Sequence, residues 1–302
     1  MSSSPLGRRI VAVKPIAVAA PGRSVDLQVK VTAPLSGHDL PVIVFSHGNA
    51  WSLDGYEPLV DRWAAAGFIV VQPAHLDSRR NGIGWDDPRF ATIWRVRIAD
   101  LHAVLDGLGD ILLQAGDLAA RVDRERIAVV GHSWGAQTAG AILGARVLDA
   151  DGVSGEDFSH PGVSAGALIA ATGTGDTLTP FAAEHLPFMR PDYSTMTTPA
   201  LVVAGGKDRS QLSTRGPEWF TDAYHLSPSP KTLLTIAEGE HTLGGIAGEM
   251  VAETTDEDPA RVALVADAVS AYLLDAFELD GAAWADLGAA APGEGAWGIA
   301  VK

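Results

Sequence analysis

A serine set between two glycines is the starting point for the chemistry of this chain. Gly131-His132-Ser133-Trp134-Gly135 follows the apolar run Ile127 to Val130 and precedes the small-residue stretch Ala136 to Val147. That order predicts strand, sharp turn and helix, with the Ser133 hydroxyl raised at the apex near a helix N-terminus. The flanking glycines let the strand and helix approach without Cβ clashes. A neutral hydroxyl is a poor nucleophile, so Ser133 needs a base that takes its proton and returns it to a leaving group. Of nine histidines, His241 is the candidate, because it follows the run Thr232 to Ile236 in a Gly-Glu-His-Thr loop. The imidazole in turn needs a carboxylate to orient it and to stabilise its protonated form. Asp208, at the end of Leu201 to Lys207, is that candidate, and Asp176, after the preceding strand, is its rival.

A developing oxyanion needs donors fixed before it forms. The run Pro41 to Phe45 ends in Ser46-His47-Gly48-Asn49. The backbone N–H groups of Asn49 and of Trp134, the residue after the nucleophile, are the expected oxyanion hole. Trp51, Trp85 and Trp134 are candidates for an apolar acyl or alcohol pocket. The segment from Thr172 to Thr198 is rich in Gly, Thr and Pro and carries Leu178, Phe181, Leu186, Phe188 and Met189. Its length predicts an excursion over the site, with Phe181 and Phe188 touching substrate beside Trp51. His75, His102, His160, His185 and His225 are assigned surface or core roles.

Several weaker patterns carry no chemistry. Asp149 to His160 has the opening of a calcium loop, but the sixth position is Ser154 and the twelfth His160, so no metal is expected. Gly205-Gly206-Lys207-Asp208 lacks the ending of a phosphate loop. Arg79-Arg80 and Arg95 with Arg97 are too sparse for a nucleic-acid patch. The acidic run Glu253 to Asp258 reads as a solvated helix entrance.

The elements that must position these residues alternate along the chain. β-rich runs at Ile10 to Ala19 and Ser24 to Val31, separated by Pro21-Gly22, predict an N-terminal antiparallel hairpin. Strands are then expected at 41–46, 68–72, 126–130, 165–171, 199–204 and 231–236. Helices are expected at 55–66, 92–108, 134–148, 217–226 and 259–277. The last has Asp258 as N-cap, Pro259 at its first position, and Val262, Val265, Val269, Tyr272 and Ala276 at helical spacing. Such alternation implies an α/β fold, a mostly parallel twisted sheet with helices on both faces. At 302 residues one domain is expected, with a small lid at 172–198 and an Ala/Gly-rich tail, 282–302, that docks loosely or stays mobile.

With Ser133, Asp208 and His241 in that chain order, the sequence from about Val25 to Phe277 resembles the α/β-hydrolase-fold serine esterases. Within them, the Phe-Ser-His-Gly strand end and the Arg97-x-x-Asp100 helix are similar to the bacterial chlorophyllase-like and platelet-activating-factor-acetylhydrolase-like group. Where that group often has a hydrophobic residue after His-Gly, this chain has Asn49. The resemblance implies a cofactor-independent carboxylic-ester hydrolase working through an acyl-enzyme at Ser133. Lactonase, polyester hydrolase and acyltransferase chemistry would use the same three residues. A non-catalytic binding protein of the same fold is the alternative of another class.

Composition bounds the partners. A net charge of −15 repels phosphate backbones, so a neutral small-molecule ester is expected rather than nucleic acid. No cysteine is present, which excludes disulfides, thiolate catalysis and Cys-based metal sites. Hydrophobic content is 47%, yet no apolar stretch approaches the roughly 20 residues of a membrane span. Met1 to Pro5 shows no classical secretory signal, so a cytoplasmic location is the expectation.

Overall fold

The computed structural model describes residues 8–302 apart from 21, 24, 85, 86, 249–254 and 292–294. In chain order the elements are β1 (Ile10–Val18), β2 (Leu27–Pro34), β3 (Leu40–Ser46), α1 (Glu57–Ala66), β4 (Ile69–Pro73), α2 (Ile93–Asp106) and α3 (Leu108–Gln114). There follow β5 (Val122–His132), α4 (Trp134–Ile142), β6 (Arg146–Val147), β7 (Ala165–Ile169), α5 (Pro180–His185), β8 (Pro191–Asp192) and β9 (Ala200–Gly205). The chain closes with α6 (Asp222–Leu226), β10 (Lys231–Ile236), α7 (Pro259–Ala276), α8 (Ala282–Ala290) and β11 (Trp297–Val301).

Successive residues of a strand face opposite sides, and the apolar runs exploit both. Val42, Val44, Ile127 and Val129 enter one core with Ile98, Leu101, Ala136 and Ala139 of α2 and α4. Ile43, Phe45, Ala128 and Val130 enter another with Leu59 and Trp63 of α1 and Val265 and Val269 of α7. A sheet apolar on both faces must be covered on both faces, and it is. Its nine strands run β1-β2-β4-β3-β5-β7-β9-β10-β11. From β4 to β10 neighbours are parallel, whereas β1, β2 and β11 attach antiparallel at the edges.

The N-terminal pair slips register between Val13 and Ile16, where Pro15 has no N–H to donate. Its second strand runs on to Pro34, past the expected end. The helix expected at 92–108 is two, parted at Gly107, a weak helix former. The one expected at 134–148 stops at Ile142, because Gly144 turns to φ 104° and Arg146–Val147 pairs with Pro191–Asp192. The strand expected to reach Ala171 ends at Ile169, before Ala170 at φ 48°. Pro217–Thr221 forms a 3₁₀ turn ahead of α6.

The tail differs most from expectation. Residues 282–290 form α8, and Trp297–Val301 adds an edge strand to β10, Leu234 facing Ile299. Open backbone groups at a strand edge pair with any chain within reach, which an Ala/Gly-rich sequence does not advertise. α7 follows its sequence pattern: Asp258 accepts from the N–H groups of Ala260 and Arg261 at 2.9 and 3.1 Å, with Val262, Val265, Val269 and Tyr272 buried. No helix among the described residues is long and apolar enough to cross a membrane.

Candidate active site

β3, β5, β9 and β10 are parallel, so the loops at their C-terminal ends gather along one edge of the sheet, where open α/β sheets bind ligands. The turn after β5 is the tightest of them. Ser133 adopts φ 56°, ψ −125°, a conformation rare for a residue with a side chain. A Cβ at Gly131 would stand 2.1 Å from the Gly135 carbonyl oxygen, and one at Gly135 would stand 2.0 Å from that of Ser46. Both positions are therefore closed to any other residue.

The end of β9 and the loop after it are brought against the loop after β10 in the same way. A Cβ at Gly205 or Gly206 would meet the carbonyl oxygens of Gly239 at 2.3 Å or Ala237 at 2.5 Å. That approach puts the buried Asp208 carboxylate beneath His241, with Oδ1 and Oδ2 at 3.1 and 3.0 Å from Nδ1. His241 Nε2 lies 2.8 Å from Ser133 Oγ. With the carboxylate accepting from Nδ1–H, Nε2 is free to accept the serine proton. Asp176 is exposed and takes the Thr174 hydroxyl at 2.5 Å, so Asp208 and not Asp176 faces the imidazole.

Asn49 and Trp134 line a cavity of about 210 Å³ together with Ser133 and His241. Its other walls are Thr172, Leu186, Met189, Ser210, Leu212, Trp219 and Phe220. Neither the Asn49 nor the Trp134 backbone N–H donates to another group among the described residues. Trp51, Phe181 and Phe188 are not brought into this cavity. Trp51 lines a separate cleft of about 240 Å³ with Ala50, Arg79 and Arg80. Phe181 is 52% exposed, its ring against His185. Phe188 is buried one layer back, stacked on Trp134 with ring centroids 5.3 Å apart. Leu186 and Met189, its neighbours in the 172–198 segment, supply the walls instead. Trp85 lies outside the described residues.

A buried polar frame, not foreseen from the sequence, fixes the loop after β3. Asp77 accepts the Ala50 N–H at 3.1 Å and both its oxygens bind Arg97 Nη1 at 2.7 Å; Arg97 Nη2 donates to the His47 carbonyl. Burial works against the charge on Asp77, yet Arg97 and His47 hold its carboxyl below the usual range. The His75 N–H donates to His47 Nε2 at 3.0 Å, so His47 Nδ1–H donates to the Gly48 carbonyl at 2.7 Å. Burial, then Arg97, pull the His47 ring down to about 4, which keeps this neutral tautomer. Ser46, His75 and Asp100 also form a serine–histidine–carboxylate line, at 2.9 Å for each contact. All three are buried, and Asp100 is further paired to Arg23, so this line braces the fold.

A second chain of bonds crosses the site. His132 Nε2 is 2.9 Å from the His241 carbonyl oxygen, which only accepts, so Nε2 carries the proton and Nδ1 the lone pair. Tyr56 Oη therefore donates to Nδ1 at 2.8 Å and accepts the Gly48 N–H at 3.1 Å. Burial, with the neighbouring His241, pulls His132 down to about 3, and burial pushes the Tyr56 hydroxyl up, so every direction in this chain is fixed. The residue before Ser133 thus ties the Gly48 loop to the backbone of His241. Adjacency to Ser133 was the signal for His132; Tyr56, Asp77 and Arg23 had none.

His102, Asp106 and His160 place potential ligand atoms within 4.8 Å of one another. The Gly162 N–H, however, points at His160 Nδ1 at 3.1 Å, which leaves the ring proton on Nε2 facing Asp106 at 3.2 Å. That ring donates a hydrogen bond to the carboxylate and does not aim a lone pair at a shared cation. Asp149 accepts the N–H groups of Asp151 and Val153 and so closes a turn.

The strand order, the antiparallel N-terminal strands and the strained serine between β5 and α4 define the α/β-hydrolase fold. Residues 6–149, a little under half of the chain, match the family model described as Chlorophyllase, a similarity that together with the fold supports a chlorophyllase-like group of α/β-hydrolases. The matched stretch contains Asn49, Ser133 and Trp134 and ends before Asp208 and His241. No curated protein matches the chain.

Proposed function

We propose that this hydrolase is a serine carboxylic-ester hydrolase acting through an acyl-enzyme on Ser133. The observation that carries the reading is the hydrogen-bonded line Ser133 Oγ, His241 Nε2 and Nδ1, Asp208, opening into the same cavity as Asn49 and Trp134. His241 takes the Ser133 proton as Oγ attacks the ester carbonyl, and the charge that develops on the carbonyl oxygen is met by the Asn49 and Trp134 N–H groups. Asp208 stabilises the imidazolium, which then protonates the departing alcohol. Water, deprotonated by His241, attacks the acyl-serine and restores the enzyme. No step calls for a cofactor.

The cavity favours a small apolar acyl group. Its volume of about 210 Å³ is below the roughly 300–1,000 Å³ of pockets that enclose a drug-sized ligand. Leu186, Met189, Leu212 and Phe220 offer an acyl chain no polar partner, and a bulky alcohol must extend outside. A series of p-nitrophenyl esters of rising acyl length, with a polyester and several lactones, tests this. kcat/KM should peak at short to medium acyl chains and fall for long ones. A preference for long chains, or for lactones over open esters, would contradict it.

A further inference from the structure

The loop carrying His241 is shaped by a carboxylate from the acidic run that reads in sequence as a solvated helix entrance. Of that run, residues 253 and 254 lie outside the described residues, and Asp256 is not solvated: its side chain is 6% exposed. Its Oδ2 accepts the Glu240 N–H at 2.8 Å and the Gly244 N–H at 3.1 Å, and its Oδ1 accepts the Thr242 hydroxyl at 3.3 Å. These are the residues one before, one after and three after His241. Arg261 Nη1 holds the same carboxylate at 2.7 Å and the Asp256 carbonyl at 3.0 Å, which ties the arrangement to the first turn of α7.

The loop has reason to need such a clamp. It belongs to no strand or helix, and it passes through φ 47° at Leu243 and φ 92° at Gly244. Asp256 replaces the missing ladder with bonds to backbone and hydroxyl donors on both sides of His241 in the chain. His132 Nε2–H holds the His241 carbonyl itself. The imidazole must meet Ser133 and Asp208 simultaneously, and a misplacement of about 1 Å can cost roughly 10²-fold in rate.

We infer that Asp256 is a positioning residue for His241, acting through the 240–244 loop and not on the substrate; the inference rests on the function proposed above. It is tested in the full-length chain with Asp256→Ala and Asp256→Asn. The measurements are kcat and KM on one p-nitrophenyl ester, the rate at which a fluorophosphonate labels Ser133, and Tm. For Asp256→Ala, kcat and labelling rate should fall about 10- to 100-fold with KM within about threefold, and Asp256→Asn, which keeps one acceptor, should fall between. The deciding arm is a His241→Ala background, since residues that act as a unit are non-additive. There Asp256→Ala should change the residual labelling rate by less than about twofold. A folded Asp256→Ala enzyme with kcat within about twofold of wild type, or an equal loss in both backgrounds, would overturn the inference. Should the alanine variant not fold, Asp256→Asn carries the same criteria. A wild type that is active and labelled while the Asp256 variants are indifferent removes this inference alone; a wild type neither active nor labelled removes the function as well.

Discussion

Asp208 and Asp176 each follow a strand of the same sheet, and their difference is one of reach. Asp208 is buried under His241 because two glycines let its loop press against the loop after β10, whereas Asp176 faces solvent beside Thr174. An amide in place of the orienting carboxylate keeps the size but removes the charge that favours the imidazolium, and it stabilises the wrong tautomer. Asp208→Asn should therefore lose at least about 10³ in kcat, while Asp176→Asn should stay within about tenfold of wild type. Steady-state kinetics at matched folding decides it, and the reverse ranking would move the acid to Asp176. Asp208 was readable from its position after a strand and before the His241 strand. Asp77 and Asp256 were not, and Asp100 stood out only as part of the Arg97-x-x-Asp100 pattern, because a buried carboxylate looks like any other until the donors that surround it come together from distant segments.

The segment between β7 and β9 shows where element-level reading stops. Its length and its apolar residues pointed to the site, yet which of those residues face inward depends on turns that periodicity does not encode. Leu186 and Met189 face the cavity, while Phe188 packs behind Trp134 with Leu76, Phe90 and Ile93. Deleting a buried aromatic ring removes apolar burial and leaves a cavity, so Phe188→Ala should cost about 3–5 kcal/mol, and Phe181→Ala, at the exposed position, should be close to neutral. Urea unfolding of the two variants checks this. A Phe188→Ala enzyme of wild-type stability with an altered acyl preference would instead make Phe188 a substrate contact. The tail offers a parallel lesson: β11 is set by the free edge of β10 more than by its own sequence.

Across the whole molecule, three buried histidines make stability depend on pH. His47 is lowered to about 4 and His132 to about 3, mainly by burial, and His75 lies well below the usual range for the same reason. For a group whose folded pKa is depressed, the unfolded chain binds the proton first. The stability it contributes is therefore full above its unfolded value of about 6.5 and is lost as pH falls toward the folded one. At about 1.4 kcal/mol per unit, His47 alone accounts for roughly 3 kcal/mol between pH 6.5 and 4. Asp100, pushed up to about 7 by burial against the pull of Arg23, acts in the opposite sense and offsets part of the loss. Urea midpoints should fall steadily from pH 6.5 to 4.5. A flat or rising profile would mean that these rings carry charge in the folded state. The α/β alternation and the strand order of the chemistry were legible because apolar periodicity is local; this histidine-rich interior was not, since the sequence separates His47, His75 and His132 by whole elements.

The most direct measurement is intact mass and peptide mapping after exposure to a fluorophosphonate, in the wild type and in Ser133→Ala. A single adduct on Ser133, absent from a folded Ser133→Ala chain whose turnover has dropped by on the order of 10⁶, is the predicted result. An adduct on another residue, or ester hydrolysis that persists in Ser133→Ala, would contradict the account.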